Sequence, residues 1–220
     1  MKHLKPICGF AGLTIILVGC SSPKDASLGN FKKVINGYFD RNCITVSPRN
    51  SKFPVTVELL PSDSKWAEKQ NPEKTQQYDA LVGIGILDVK DGSAEVKKSI
   101  FSAEKITVGT KTYSLSEKGK ELLIKNTETN LFGGSSQGFC VANYKVNEVS
   151  NFSEPSQAMG YTISKVNYSI SPKNVKEWAS NEIIIKSFPR VVSKLEAGQE
   201  KSTTLVLMND GWVHEKEMKR

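Results

Sequence analysis

The first 25 residues constrain this chain more than any later segment. Lys2, His3 and Lys5 precede an almost wholly apolar run from Ile7 to Val18, which Gly19, Cys20, Ser21 and Ser22 bring to an end. A charged head, a short greasy middle and a small-residue boundary have the form of a secretory signal. The run is too short to cross a bilayer as a helix, which takes about 20 apolar residues. It also lacks the polar face of a surface-packed core helix. Transfer of the remainder across a membrane is therefore the first expectation.

Leu17-Val18-Gly19-Cys20 resembles the lipobox of bacterial lipoproteins, and it lies directly between the apolar run and the polar stretch Ser21-Ser22-Pro23-Lys24-Asp25. The resemblance implies cleavage after Gly19, so that residues 1–19 are a signal peptide, and acylation of Cys20. In that family an Asp after the cysteine favours the inner membrane. Ser21 stands there instead, which implies the outer membrane, periplasmic side. One acyl chain holds only marginally, at about 0.8 kcal/mol per buried methylene, so a lasting anchor needs several. Residues 20–27 are then a lipidated tether. With Lys2 and Lys5 removed, the net charge falls from +7 to +5.

On that reading Cys8 leaves with the signal and Cys20 carries lipid, so Cys43 and Cys140 remain in an oxidising compartment. An even remainder there favours a disulfide between them. The alternatives are two separately buried thiols or a reactive one, the latter without a redox-spaced partner.

Along the mature chain, Leu28, Phe31, Val34, Ile35, Tyr38 and Phe39 recur at helical spacing, with Lys32, Lys33 and Asn36 outward. Residues 43–46 and 53–59 read as strands, 61–72 as loop, and 73–87 as a second helix. Residues 95–115 read as extended, with a turn at Gly109, and Ser116 caps a short helix. Gly133-Gly134-Ser135-Ser136 marks residues 126–138 as a Gly/Ser-rich connection. Beyond it, residues 139–149, 161–170, 191–195, 203–208 and 212–214 read as an antiparallel meander. A phase slip between Ile163 and Val166 has the signature of a bulge. The expected class is α+β: a small helical, winged-helix-like amino half (a helix-and-hairpin subdomain, 28–125) followed by an antiparallel β-meander (139–220).

Two resemblances bear on this division. Tyr78-Asp79-Ala80-Leu81-Val82, Gly85-Ile86-Leu87 and Tyr113-Ser114-Leu115-Ser116-Glu117-Lys118-Gly119-Lys120-Glu121-Leu122 resemble the helix, hairpin and next helix of a bacterial winged-helix domain. An exported protein meets no chromosomal DNA, so the likeness implies packing and no nucleic acid. The order of Cys43, Tyr78 to Leu87, Tyr113 to Lys120, Phe139-Cys140, Asn151-Phe152-Ser153-Glu154-Pro155, Met159-Gly160 and Val166-Asn167-Tyr168 is similar to uncharacterised proteobacterial CpmK-like proteins. That similarity implies tolerance of an antibiotic or another envelope stress and carries over no catalytic residue.

The remaining motifs point away from catalysis. Gly83-Ile84-Gly85-Ile86-Leu87-Asp88 lacks the third glycine and the strand-to-helix setting of a dinucleotide fingerprint, so no cofactor is expected. His214 is the only histidine after residue 19, too few for a zinc site, and no metal is expected. A hydrolase would have to rely on His214 or Glu154. Residues 97–125 hold seven lysines against three acids, suited to an anionic partner or to a solvated face. Trp178, in a long connection, could line a concave ligand surface or pack as core. The expected function is a non-catalytic outer-membrane lipoprotein that binds an envelope protein, polymer or small ligand. The alternatives are a self-protection lipoprotein that sequesters a toxic ligand, or a cryptic periplasmic hydrolase.

Overall fold

A computed structural model of the chain describes residues 22–99, 103–129 and 135–218. The signal over residues 1–19 and the lipidation residue Cys20 lie outside the described residues. Helix α1 (Leu28–Arg41) starts where the Ser27 hydroxyl accepts the Asn30 N–H at 3.3 Å, and it ends where the Asn42 carboxamide donates to the Tyr38 carbonyl at 2.8 Å. Strands β1 (Ile44–Val46) and β2 (Val55–Glu58) follow, then helix α2 (Ala67–Gly83), the long hairpin β3 (Leu87–Lys97) and β4 (Lys105–Leu115), helix α3 (Glu117–Leu122) and strand β5 (Leu123–Thr129). The second part of the chain supplies β6 (Ser135–Phe152), β7 (Ser156–Ala158), β8 (Tyr161–Lys173), helices α4 (Glu182–Ser187) and α5 (Pro189–Val192), and strands β9 (Gln199–Met208) and β10 (Gly211–His214).

The expected split into a helical, winged-helix-like amino half and a carboxyl meander does not hold. Seven strands form one curled antiparallel sheet ordered β1-β6-β8-β9-β10, with β5 on β6 and β7 on β8, so two strands of the amino half belong to it. A second sheet, β2-β4-β3, lies wholly within that half. Hydrophobic spacing identifies a strand but not the distant strand that completes its hydrogen bonds. Here β1 pairs with β6 through Ile44↔Ala142, Thr45↔Cys140 and Val46↔Phe139, and β2 pairs with β4.

Two buried cores lie along β6. In one, Phe31, Ile35, Tyr38 and Phe39 of α1 pack on Val146, Val149, Val166, Tyr168, Ile170, Leu205 and Trp212. Val146 and Val149 face the same way despite their odd spacing because bulges interrupt the β6–β8 register at Val146/Glu148 and Val149/Asn151. The bulge is served by α1: Asn36 accepts the Val146 N–H at 2.9 Å, and Lys32 donates to the Asn147 carbonyl at 2.7 Å. Both side chains therefore point to the sheet, where helical spacing alone had placed them outward. The phase slip in β8 is no bulge, since its register with β9 runs unbroken from Thr162↔Leu207 to Ile170↔Gln199. Ser164 takes the inward position and satisfies its hydroxyl on the Ser153 carbonyl at 2.7 Å.

The other core joins β1, the first half of β6, α2, the β2-β4-β3 sheet and the α4–α5 segment around Leu81, Ile86, Tyr113, Phe139 and Val141. Helix α2 begins earlier than expected and contains Pro72, while Asn71 beside it is tied to both the N–H and the carbonyl of Leu60, at 2.7 and 3.0 Å. Gly109 lies within β4 opposite Ser93, so no turn forms there. Residues 191–195, expected as strand, continue from Pro189 as a short helix and a 3-10 turn, Pro being suited to a first helical position. Residues 126–129 and 135–138 of the expected connection belong to β5 and β6, and 130–134 lie outside the described residues.

Cys43 and Cys140 form a disulfide between the exit of α1 and the first half of β6, with Cα atoms 5.7 Å apart and a sequence separation of 97. In the chain-entropy treatment a loop of that size stabilises by about 4 to 5 kcal/mol. Replacing both cysteines by serine should lower the unfolding free energy by about 2 to 5 kcal/mol in a urea titration, and reductant should produce the same loss in the wild type and none in the variant. At Gly119 a Cβ would meet the Ile86 carbonyl oxygen at 2.1 Å, a backbone atom that has no room to move aside. Gly119→Ala should cost about 1 to 3 kcal/mol in the same titration.

Candidate functional site

Two concave surfaces flank α2. On one side lies a groove of about 630 Å3 lined by Leu59, Pro72, Ala80 and Ile183, with Asp79, Lys111 and Lys186. On the other lies a more polar groove of about 470 Å3 reached by Arg49, Glu58, Glu73, Lys74 and Gln77. Gln76 and Ser187 line both, so the two are neighbours across α2.

Local chemistry builds these walls. Helix α2 ends in a glycine-dependent cap: Gly85 adopts φ +72°, its N–H bonds to the Val82 carbonyl at 2.8 Å, and the Ile86 N–H bonds to the Leu81 carbonyl at 2.9 Å. The glycines of the partial dinucleotide motif serve this turn and the seating of α4, since the open Cβ position of Gly83 is 3.9 Å from Ile183. Lys118 adds a donor to the Ile84 carbonyl at 2.9 Å, favourable at a helix carboxyl end. Helix α4 is started by Asn181, whose side chain accepts the Ile183 N–H at 2.9 Å and which precedes Glu182. Ile183 is half exposed there, at 50%.

Asp79 sits between the groove and the core. It accepts from Tyr113 Oη at 2.8 Å and from Lys111 Nζ at 3.3 Å. Burial raises the Tyr113 phenol well above its usual range, and the bond to Asp79 raises it further. The phenol therefore stays protonated and serves as a fixed donor. Its ring stacks on Tyr78, centroids 4.8 Å apart, and the Tyr78 hydroxyl bonds the N–H and carbonyl of Asn50 at the second groove. The grooves thus place donors, acceptors and cations, several of them held by internal bonds, beside apolar surface.

The residues singled out for chemistry lie elsewhere. His214 is 2% exposed and stacks on Tyr38, ring centroids 3.9 Å apart. The Lys216 N–H donates to its Nδ1 at 3.2 Å, so Nε2 carries the proton that meets Thr203 Oγ1 at 3.0 Å. Thr203 in turn donates to Glu215 at 2.9 Å. Its proton points away from the imidazole, the reverse of what a histidine base needs to activate a hydroxyl. Glu154 is exposed in the β6–β7 connection, and β8 and β9 separate it in the sheet from β10, which carries His214. Trp178 packs against the α2 core.

The lysine-rich stretch does not present one basic face. Lys98, Lys105, Lys111 and Lys120 meet Glu104, Glu95, Asp79 and Glu117, and Lys118 caps α2. Exposed pairs of this kind contribute little stability. Among the described residues no group of three His, Cys, Asp or Glu side chains is placed to hold a metal ion, and no helix is long and apolar enough to cross a membrane. The residues that sequence reasoning missed are Ile183 and Lys186. The signal available was Asn181 before Glu182, a helix start in what had been read as a connection.

The Thr203–Glu215 contact yields a pH prediction. Partial burial pushes the Glu215 carboxyl up, but hydrogen bonds from the Thr204 N–H and the Thr203 hydroxyl outweigh it, and the net shift is downward. A carboxyl lowered in the folded state adds stability above its unfolded value and loses it as pH falls through the folded one. Melting temperature measured against pH should therefore fall on acidification, and Glu215→Gln should flatten that acid limb while lowering the neutral plateau.

No family model, curated protein or solved structure matches this chain.

Proposed function

We propose that this chain is a lipoprotein of the outer membrane, facing the periplasm and anchored by acylated Cys20, and that it acts without catalysis as a binding module of the cell envelope. The binding reading is carried by one observation: the 630 Å3 groove beside α2, where Leu59, Pro72, Ala80 and half-exposed Ile183 lie beside Lys111 and Lys186. A cleft of that size accommodates a small molecule or a few units of a peptide or polymer. Lys111 is paired with Asp79, and the Lys186 ammonium beside low-dielectric surface suits a ligand with an apolar body and an anionic group, since charge is attracted more strongly there than in open water.

The address draws on two features. The lipobox-like Leu17-Val18-Gly19-Cys20 supplies the acylation residue. The Cys43–Cys140 bridge is of a kind that persists in the oxidising periplasm and is rare in reducing cytosol.

Cys20→Ala should abolish incorporation of labelled palmitate and move the protein from the membrane to the soluble fraction. Ile183→Asp combined with Lys186→Glu should leave anchoring and the folded state, read by circular dichroism, intact yet reproduce the change in envelope permeability caused by deleting the gene. Normal permeability in that double variant would remove the groove from the function, and recovery of chemically altered ligand would replace binding with catalysis.

A further inference from the structure

Three turns of the chain meet at one end of the large sheet. The first is Ser22–Asp25, where the Ser22 N–H bonds to the Asp25 carboxylate at 2.7 Å and the Asp25 N–H to the Ser22 carbonyl at 2.9 Å. The Asn30 carboxamide of α1 clamps the Ser22 and Asp25 carbonyls at 2.7 and 2.9 Å. Buried Trp212 donates its indole N–H to the Lys24 carbonyl at 3.0 Å, and Pro23 lies over Gly211 so closely that a Cβ there would be 3.1 Å from the Pro23 oxygen. Residues 22–27, expected as a loose tether, are thus seated against β10 and α1.

The second turn, Asn209–Asp210, joins β9 to β10 beside this seat. The third is the tip of the β7–β8 hairpin, adjacent to the second because Thr162 pairs with Leu207. At this tip Met159 is 99% exposed, in a left-handed conformation of φ +52°, and Gly160 follows at φ +82°. Tyr161 and Met208 beside it are 45% and 37% exposed. A single exposed apolar residue is ordinary. The location gives this group its meaning: Cys20 stands two residues before the seated Ser22, and two fully extended residues reach at most about 7 Å.

We propose that this end of the sheet, with Met159, Tyr161 and Met208, is a membrane-contact surface whose partner is the lipid bilayer that receives the acyl chains of Cys20. The proposal rests on acylation of Cys20 and goes beyond it, because an anchor on a loose tether would leave the domain free to tumble. Met159 enters the headgroup region as an apolar tip, and Tyr161 offers a ring with an apolar body and a polar end, suited to the interface. Lys24 of the seated turn is exposed toward lipid phosphate, and Asp25 of the same turn and Asp210 of the β9–β10 turn are exposed carboxylates near it, so apolar insertion beside the anchor carries the contact and net charge does not. β6 runs from the α2 core to this end, where Phe152 meets Phe31 with ring centroids 4.8 Å apart. The eleven strand residues from Ala142 to Phe152 carry β6 roughly 30 Å from the α2 core toward this end.

The test uses full-length lipidated protein in vesicles of phosphatidylethanolamine with a minority of phosphatidylglycerol, some acyl chains carrying bromine. Met159→Trp should lose fluorescence to bromine beyond the loss shown by the unsubstituted chain. Lys97→Trp, at the far hairpin, should lose none beyond it. The intact mass of the same sample reports acylation. An acylated sample in which Met159→Trp is quenched no more than the unsubstituted chain would overturn the contact surface and leave the anchor standing. A sample without acyl mass would overturn the anchor, and the contact surface with it.

Discussion

The architecture depends on the hydrogen bonding of β6. Its first half receives β1 and β5 on opposite edges and its second half receives β8, so one extended segment serves two cores. Within the half paired with β8, β6 carries two bulges, and bulges bend a strand. Bulges leave backbone groups without ladder partners, and buried groups of that kind are costly unless satisfied. Helix α1 meets the need through Asn36 and Lys32, while Asn143 returns a bond to the Phe39 carbonyl at 2.9 Å. The disulfide then fixes the exit of α1 to the first half of the same strand.

That frame explains how the α2 groove is positioned. Leu81 and Tyr78 are buried against the β6 side of the core, which leaves the flanks of α2 open between β2 and α4. Helix α4, from the second part of the chain, can close the groove only because β6 carries the chain back past the amino half. The site is therefore assembled from segments more than 100 residues apart, as Leu59 and Ile183 show. Its polar members are held by internal bonds, Asp79 between Tyr113 and Lys111 and Tyr78 on Asn50, so they keep their geometry without a ligand. Preorganisation of this kind reduces what binding costs in side-chain entropy.

Much of the local structure was legible. The apolar face of α1 and the cap at Ser116 follow from spacing and capping chemistry, which act within a few residues. The readings that missed share a cause. Lys32 and Asn36 look like solvent-facing residues until a bulge on a distant strand needs them, and Ser164 breaks an apolar alternation because its hydroxyl finds the Ser153 carbonyl. His214 looks like a candidate base, but stacking on Tyr38 and its bond to Thr203 make it part of the core.

By itself the sequence determined the amino-terminal signal pattern, the pairing expected of Cys43 with Cys140, and the periodic elements, because each is written in residue types at short spacing or in a count. Only the tertiary structure decided which strands pair, that β1 joins the carboxyl sheet, where the groove opens, and that Ser22–Asp25 is seated beside Met159. Those outcomes depend on contacts between segments far apart in the chain. Their energies come from which surfaces are buried together, and no local pattern carries that information.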